Sequence, residues 1–263
     1  MCERLFEVAK GESRVAVVVE QKFCKITVER KRDVGGVRVK WTIARDKEEE
    51  CKEPEAEWSA ESFRFVVPEC QWAVHICVEI DKRLRQSDVQ VRVSERGDVY
   101  LKRIKGNVKC NVNRGNVFVE AMNSGTLWLN VSVGNTSVDQ CYLNSCYMNA
   151  NAGTESLTNT KICGSCRCNV DVGNNIVQDC VLKDARFTLN AGDVVMKSCK
   201  IVGEVRVEIQ TTGEVTQTDT ELGEEGKLMV KHKKSTRWAE IPVSGNATRS
   251  KKDDKRLREA LEE

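Results

Sequence analysis

From Val89 onward the chain alternates apolar and polar residues in short runs, and each run restarts after a glycine. The restart is periodic: Gly97, Gly115, Gly134, Gly153, Gly173, Gly192 and Gly213 are separated by 18, 19, 19, 20, 19 and 21 residues. Most of these glycines are followed by Asp, Asn or Glu and then by a β-branched residue. Alternation at period two is a strand pattern, and no helical spacing interrupts it. A repeat of roughly 20 residues that is strand throughout predicts one coil of a β-solenoid, because a single coil cannot bury its apolar side without a neighbour stacked on it. The predicted fold is all-β: a single-stranded parallel β-solenoid, or β-helix, of about 19–20 residues per coil.

Counting back five, three and one places from each glycine predicts the inward residues. These are Cys110 and Val112; Leu129, Val131 and Val133; Met148, Ala150 and Ala152; Cys168, Val170 and Val172; and Phe187, Leu189 and Ala191, with Arg114 as the exception. The alternate places are polar. Asn111, Asn130, Asn149 and Asn169 recur at one of them, and coils stacked about 4.8 Å apart turn such a column into an amide ladder. A second series at half phase, Gly106, Gly125, Gly164, Gly203 and Gly223, with Asn144 in one gap, marks another corner of the coil. Sharp corners call for residues tolerant of positive φ.

Residues 1–90 carry strands without this period. Val15–Val19, Phe23–Val28, Val37–Ile43, Phe63–Val67 and Trp72–Val78 alternate, with Gly35-Gly36 placed as a hairpin turn and the charged run Arg45–Glu50 as a solvated loop. They read as a small β-sandwich or as irregular first coils capping the solenoid. Strands that run without a linker into Val89–Val93 favour the second. Regular coils are expected over 91–230, and 231–263 reads as a basic C-terminal cap followed by a flexible tail. Open solenoid ends expose unpaired strand backbone and need covering; the segment Lys227–Trp238 is placed at one of them.

The repeat units Glu95-Arg-Gly-Asp-Val99, Asn113-Arg-Gly-Asn-Val117, Asn190-Ala-Gly-Asp-Val194 and Thr211-Thr-Gly-Glu-Val215 resemble the putative adhesin family over residues 5 to about 223, as does the opening Phe6-Glu-Val-Ala-Lys-Gly11. The resemblance implies a β-solenoid and no established activity, and it supplies no catalytic residues. Gly134, Gly153 and Gly173 depart from it in lacking the Asp-Val pair.

Composition narrows the function classes. The 42 basic and 40 acidic side chains leave a net charge of +2, so no global field selects nucleic acid or anionic membranes. No window has the apolar length of a membrane span and the N-terminus lacks the layout of a secretory signal, which points to an intracellular, cytoplasmic setting. Thirteen Cys in such a setting are expected as free thiols. Cys163, Cys166 and Cys168 have a spacing that suits zinc or redox exchange, but four converging ligands are needed for zinc. Seven places after each glycine stand Ile104, Met122, Cys141, Thr160, Cys180, Cys199 and Thr220. Cysteine that alternates with apolar and small residues in this way reads as core packing. Cys146 and Cys166 share one place in consecutive coils and come within reach of a disulfide.

His75 lies among apolar neighbours in a strand, and His232 lies in a basic run. No GxSxG, P-loop or HExxH pattern occurs. Asp98 and Asp193 occupy corners, and Asp171 stands alone among amides. No catalytic residue, cofactor or metal is assigned. The basic stretch from Lys227 to Trp238 is read as a guard on an edge strand. The chain is expected to be a noncatalytic binding or scaffold protein that presents solenoid faces to a protein partner. Alternatives are a carbohydrate-active or carbohydrate-binding β-helix and, more weakly, an accessory component of a ribonucleoprotein.

Overall fold

The computed structural model describes residues 2–7, 14–43, 55–58, 63–67, 73–123, 125–232 and 237–241. No helix occurs among them. The chain divides into two compact units, Met1–Gly134 and Asn135–Glu263, and each is a parallel β-solenoid.

In the first unit, Gln86–Arg96, Val108–Arg114 and Thr126–Val133 stack in parallel, with Cys110 in register with Val91 on one side and Leu129 on the other. On the next side of the coil, Val99–Lys102 pairs with Val117–Glu120. In the second unit, Met148 lies against Cys168, Cys168 against Phe187 and Phe187 against Val207. Residues one repeat apart are therefore lateral neighbours, as the glycine period requires.

The places five and three before each glycine form the core: Cys110, Val112, Leu129, Val131, Met148, Ala150, Cys168, Val170, Phe187 and Leu189 are all buried. Each Val or Leu placed there contributes roughly 1.5–3 kcal/mol. The place one before the glycine does not face the core. Val133 is 51% exposed and Val172 54%, while Ala152 and Ala191 are only half-buried. Alternation stops there because the backbone is already entering the corner, where every glycine of the series after Gly97 takes φ between 134° and 150°; ladder irregularities at Val112/Arg114 and Leu189/Ala191 mark the same point.

The N-terminal strands are solenoid coils taken out of chain order. Arg14–Phe23 and Lys25–Lys31 stack in parallel on Gln86–Arg96 and Val99–Lys102, so they make the coil that precedes residue 86 in space. Phe63–Val67 and Ala73–Asp81 stack in parallel on the other edge of that coil. Gly36–Ile43 then runs antiparallel to both Ala73–Asp81 and Cys2–Glu7. The Gly35-Gly36 hairpin does not form, because the strands before and after it lie on opposite edges of Ala73–Asp81. Asp81 holds this crossover: its carboxylate accepts from the Gly35 N–H at 2.7 Å and from Arg83, and these contacts hold it below the usual carboxylate range. The predicted loop at Arg45–Glu50 lies outside the described residues.

In the second unit, Lys227–His232 adds a parallel strand to Glu204–Thr212, and Ala239–Glu240 pairs antiparallel to it. Trp238 lies against the Arg206 and Lys231 cations at 5.7 and 5.8 Å. The predicted tail from 242 onward lies outside the described residues.

Candidate functional site

At the glycine corner, close backbone approach and positive φ coincide. A methyl group on Gly115 would overlap the Gly97 carbonyl oxygen, and one on Gly134 that of Gly115. In the second unit the same holds for Gly173 on Gly153, Gly192 on Gly173 and Gly213 on Gly192. The residue after the glycine is an acceptor for the next coil. Asp98 Oδ1 accepts from the Asn116 N–H at 2.8 Å, and Asn135, Asn174 and Asp193 accept from Thr154, Asp193 and Glu214, each at 2.9 Å. The half-phase corner repeats the device, with Asp88 accepting from Asn107 and Asn107 from Thr126. Asp98 and Asp193 are thus engaged by main-chain donors.

Each unit has amide contacts along its lateral faces. Asn130 Nδ2 donates to Asn111 Oδ1 at 2.7 Å, Asn169 to Asn149 at 2.7 Å and Asn190 to Asp171 at 2.9 Å. Another face of the first unit carries a Tyr100–Phe118 stack at 4.8 Å with the Lys25 ammonium over Tyr100. The acids of these faces meet cations of other coils: Glu29 with Arg103 at 2.7 Å, Glu120 with Lys102 at 3.0 Å, and Glu208 with Arg186 and Lys231. In the first unit, an open cleft of about 550 Å³ is bordered by Trp128, Lys109, Gln90, Asn107 and Asp88.

A third corner carried no readable signal. Six residues after each glycine the chain takes φ between 48° and 56°, at Arg103, Ala121, Gln140, Asn159, Asp179, Ser198 and Asp219. These residue types share no chemistry. The following residue is the inward column Ile104, Met122, Cys141, Thr160, Cys180, Cys199 and Thr220, all buried. In the second unit its S–H or O–H donates to the carbonyl two residues back: Cys141 to Asp139 at 3.1 Å, Thr160 to Thr158 at 2.8 Å, Cys180 to Gln178 at 3.1 Å, Cys199 to Lys197 at 3.3 Å and Thr220 to Thr218 at 3.4 Å. Cys and Thr alternate here because both put a donor on Cβ. Burial pushes the Cys180 thiol up to about 12.

The spaced thiols do not converge as a set. Cys163 is half-buried beside the Tyr142 hydroxyl, whereas Cys166 and Cys168 point into the core with their sulfurs 3.7 Å apart. Among the described residues, no group of three His, Cys, Asp or Glu is placed to hold a metal ion. His75 bonds Thr27 Oγ1 at 3.1 Å, and burial, then Lys25, lowers its pKa.

Sequence reasoning also missed a buried polar column. Thr136, Glu155 and Asn175 are register partners, each 1% exposed, at a place in the repeat that is valine at 117 and 194. Thr136 Oγ1, both Glu155 oxygens and both Asn175 amide atoms lack a hydrogen-bond partner. Desolvation raises the Glu155 pKa well above the usual carboxylate range, and the nearby Cys166 adds to it. The readable signal was the departure from valine at three successive repeats.

No family model matches the chain, and no curated protein matches its sequence. Among solved structures, it is similar to that of a putative cell adhesion protein from Clostridium sporogenes, with a TM-score of 0.33 and 9% identity, covering 84% of this chain and 99% of that chain.

Proposed function

We propose that the protein is a noncatalytic binding or scaffold protein whose solenoid faces receive a protein partner. The observation that carries this reading is the division of labour among its side chains. Carboxylates of the faces and corners are engaged by the neighbouring coil, Asp98 and Asp193 by main-chain N–H groups and Glu208 by two cations. Rigid outward aromatics remain on the surface, with Phe118 38% and Trp128 41% exposed. Flat, preordered faces with aromatic anchors suit protein recognition because little conformational freedom is lost on contact. The resemblance to the putative adhesin family belongs to the same proposal and adds a fold without an activity. Affinity purification from native cells with the wild type and with Phe118→Lys tests it: a partner retained by the first and lost by the second, at equal thermal stability, is expected. An unchanged partner set would remove this face from the proposal.

The cleft beside Trp128 favours a second reading, carbohydrate binding. An indole face next to amide, carboxylate and ammonium groups is a surface on which a sugar ring can stack and hydrogen-bond. Quenching of tryptophan fluorescence by oligosaccharides, abolished in Trp128→Ala, is the expected result. No quenching across a broad glycan panel would reject it.

A further inference from the structure

The buried thiols of the second unit divide by what their S–H groups meet. Cys141, Cys180 and Cys199 donate to main-chain carbonyls at the third corner. Cys146, Cys166 and Cys168 meet one another. Cys146 and Cys166 are register partners on adjacent parallel strands, both fully inside the core, and their side chains are hydrogen-bonded. Cys168 approaches the same Cys166 sulfur to 3.7 Å from two places along the strand. Register partners on neighbouring strands lie about 4.8 Å apart, inside the roughly 4.4–6.8 Å between α-carbons that a disulfide spans. Two residues apart on one strand the β-carbons lie about 6.6 Å apart, beyond the roughly 3.5–4.5 Å that a disulfide spans. The geometry thus selects one pair out of the three thiols.

We propose that Cys146 and Cys166 form a redox-responsive pair that closes into a disulfide between two adjacent coils, with Cys166 as the attacking sulfur. Cys166 is the sulfur that both other thiols meet, so a group carried on it can be displaced by the register partner as the coil closes. The oxidant is a low-molecular-weight disulfide of the glutathione class. The Cys166 thiolate attacks one of its sulfurs, the S–S bond of the oxidant breaks, and one thiolate leaves. Cys146 then gives up its proton to the departed thiolate and attacks the Cys166 sulfur, expelling the second thiolate, which takes a proton from solvent. Two protein thiols are oxidised by two electrons, and the oxidant is reduced to two small thiols. Because both sulfurs are buried, exchange occurs while the coil forms or opens. The bond joins residues 20 apart and would staple one coil to the next.

The test is to refold the full chain in buffers of graded oxidised-to-reduced glutathione, block free thiols and map the products. The expected result is two fewer blocking groups than in the reduced chain and a link between tryptic peptides 115–161 and 162–167, which fragmentation assigns to Cys146 and Cys166 rather than to Cys141 or Cys163. The unfolding midpoint should rise by roughly 5–10 °C on oxidation and return with reductant. Cys168→Ser should keep the link, and Cys166→Ala should abolish it. A link from 162–167 to 168–183, a bond between the stacked Cys180 and Cys199, or all of these thiols still free in excess oxidised glutathione would overturn the proposal. The map of the wild type decides this even if a variant fails to fold.

Discussion

Gly115, Gly134, Gly173, Gly192 and Gly213 at the main corner are held by two independent constraints, and this makes them the least replaceable residues of the repeat. Gly173 has φ 143° and sits against the Gly153 carbonyl. Gly173→Ala should cost roughly 4 kcal/mol or more, as backbone strain and overlap act together; urea denaturation measures it. The corner thiols are replaceable in a defined way. Cys180→Ser should stay within about 1 kcal/mol of the wild type, because a donor on Cβ is kept, whereas Cys180→Ala should lose more through the lost second hydrogen bond to the Gln178 carbonyl and the small cavity; the same denaturation series compares them. Glu155 is the converse case. Its folded pKa lies above the ordinary value of 4.5, so its proton is held more tightly in the folded chain. Stability is therefore lost as pH rises from the usual carboxylate range toward the raised pKa. Glu155→Gln should have a higher unfolding midpoint than the wild type, with a gap that widens from pH 4.5 to pH 8; a constant gap would mean that the carboxyl is not neutral in the core.

At the scale of the coil, the repeated Gly-Asp/Asn unit is a coupling device. Its acceptor serves the N–H of the next coil rather than its own turn. Asp193→Ala should therefore loosen the neighbour: a loss of about 1 kcal/mol is expected, with faster amide exchange at Glu214 than at Asp193 itself. The spacing of this unit was legible because the same steric problem recurs in every coil and admits few residue types. The amide contacts were legible for the same reason, since Asn recurs at 111, 130, 149 and 169. The third corner was not legible. Arg103, Ala121 and Ser198 tolerate positive φ only because the stacked coils impose it, and in the second unit the accompanying hydrogen bond belongs to the residue that follows, as Cys199 does after Ser198.

At the scale of the whole molecule, stability within each unit's stack is close to a sum of coil and interface contributions, so in the second unit the outermost pairings open first. Amides of Lys227–His232, whose outer partner is the two-residue strand Ala239–Glu240, should exchange before those of Lys161–Gln178, which pair on both edges. Uniform protection of both segments by hydrogen exchange would contradict this. The inward places five and three before each glycine, the coil period and the strand content follow from the chain alone, because each reflects a local steric or hydrophobic demand repeated at fixed spacing. Three features came only with tertiary structure: the out-of-order coil formed by Phe63–Val67 and Ala73–Asp81 beside Arg14–Lys31, the approach of Cys168 to the Cys146 and Cys166 pair that the repeat spacing already brings together, and the burial without partners of Thr136, Glu155 and Asn175. Each depends on which coil is laid on which and on the room left between them. No stretch of chain carries that information until the coils are stacked.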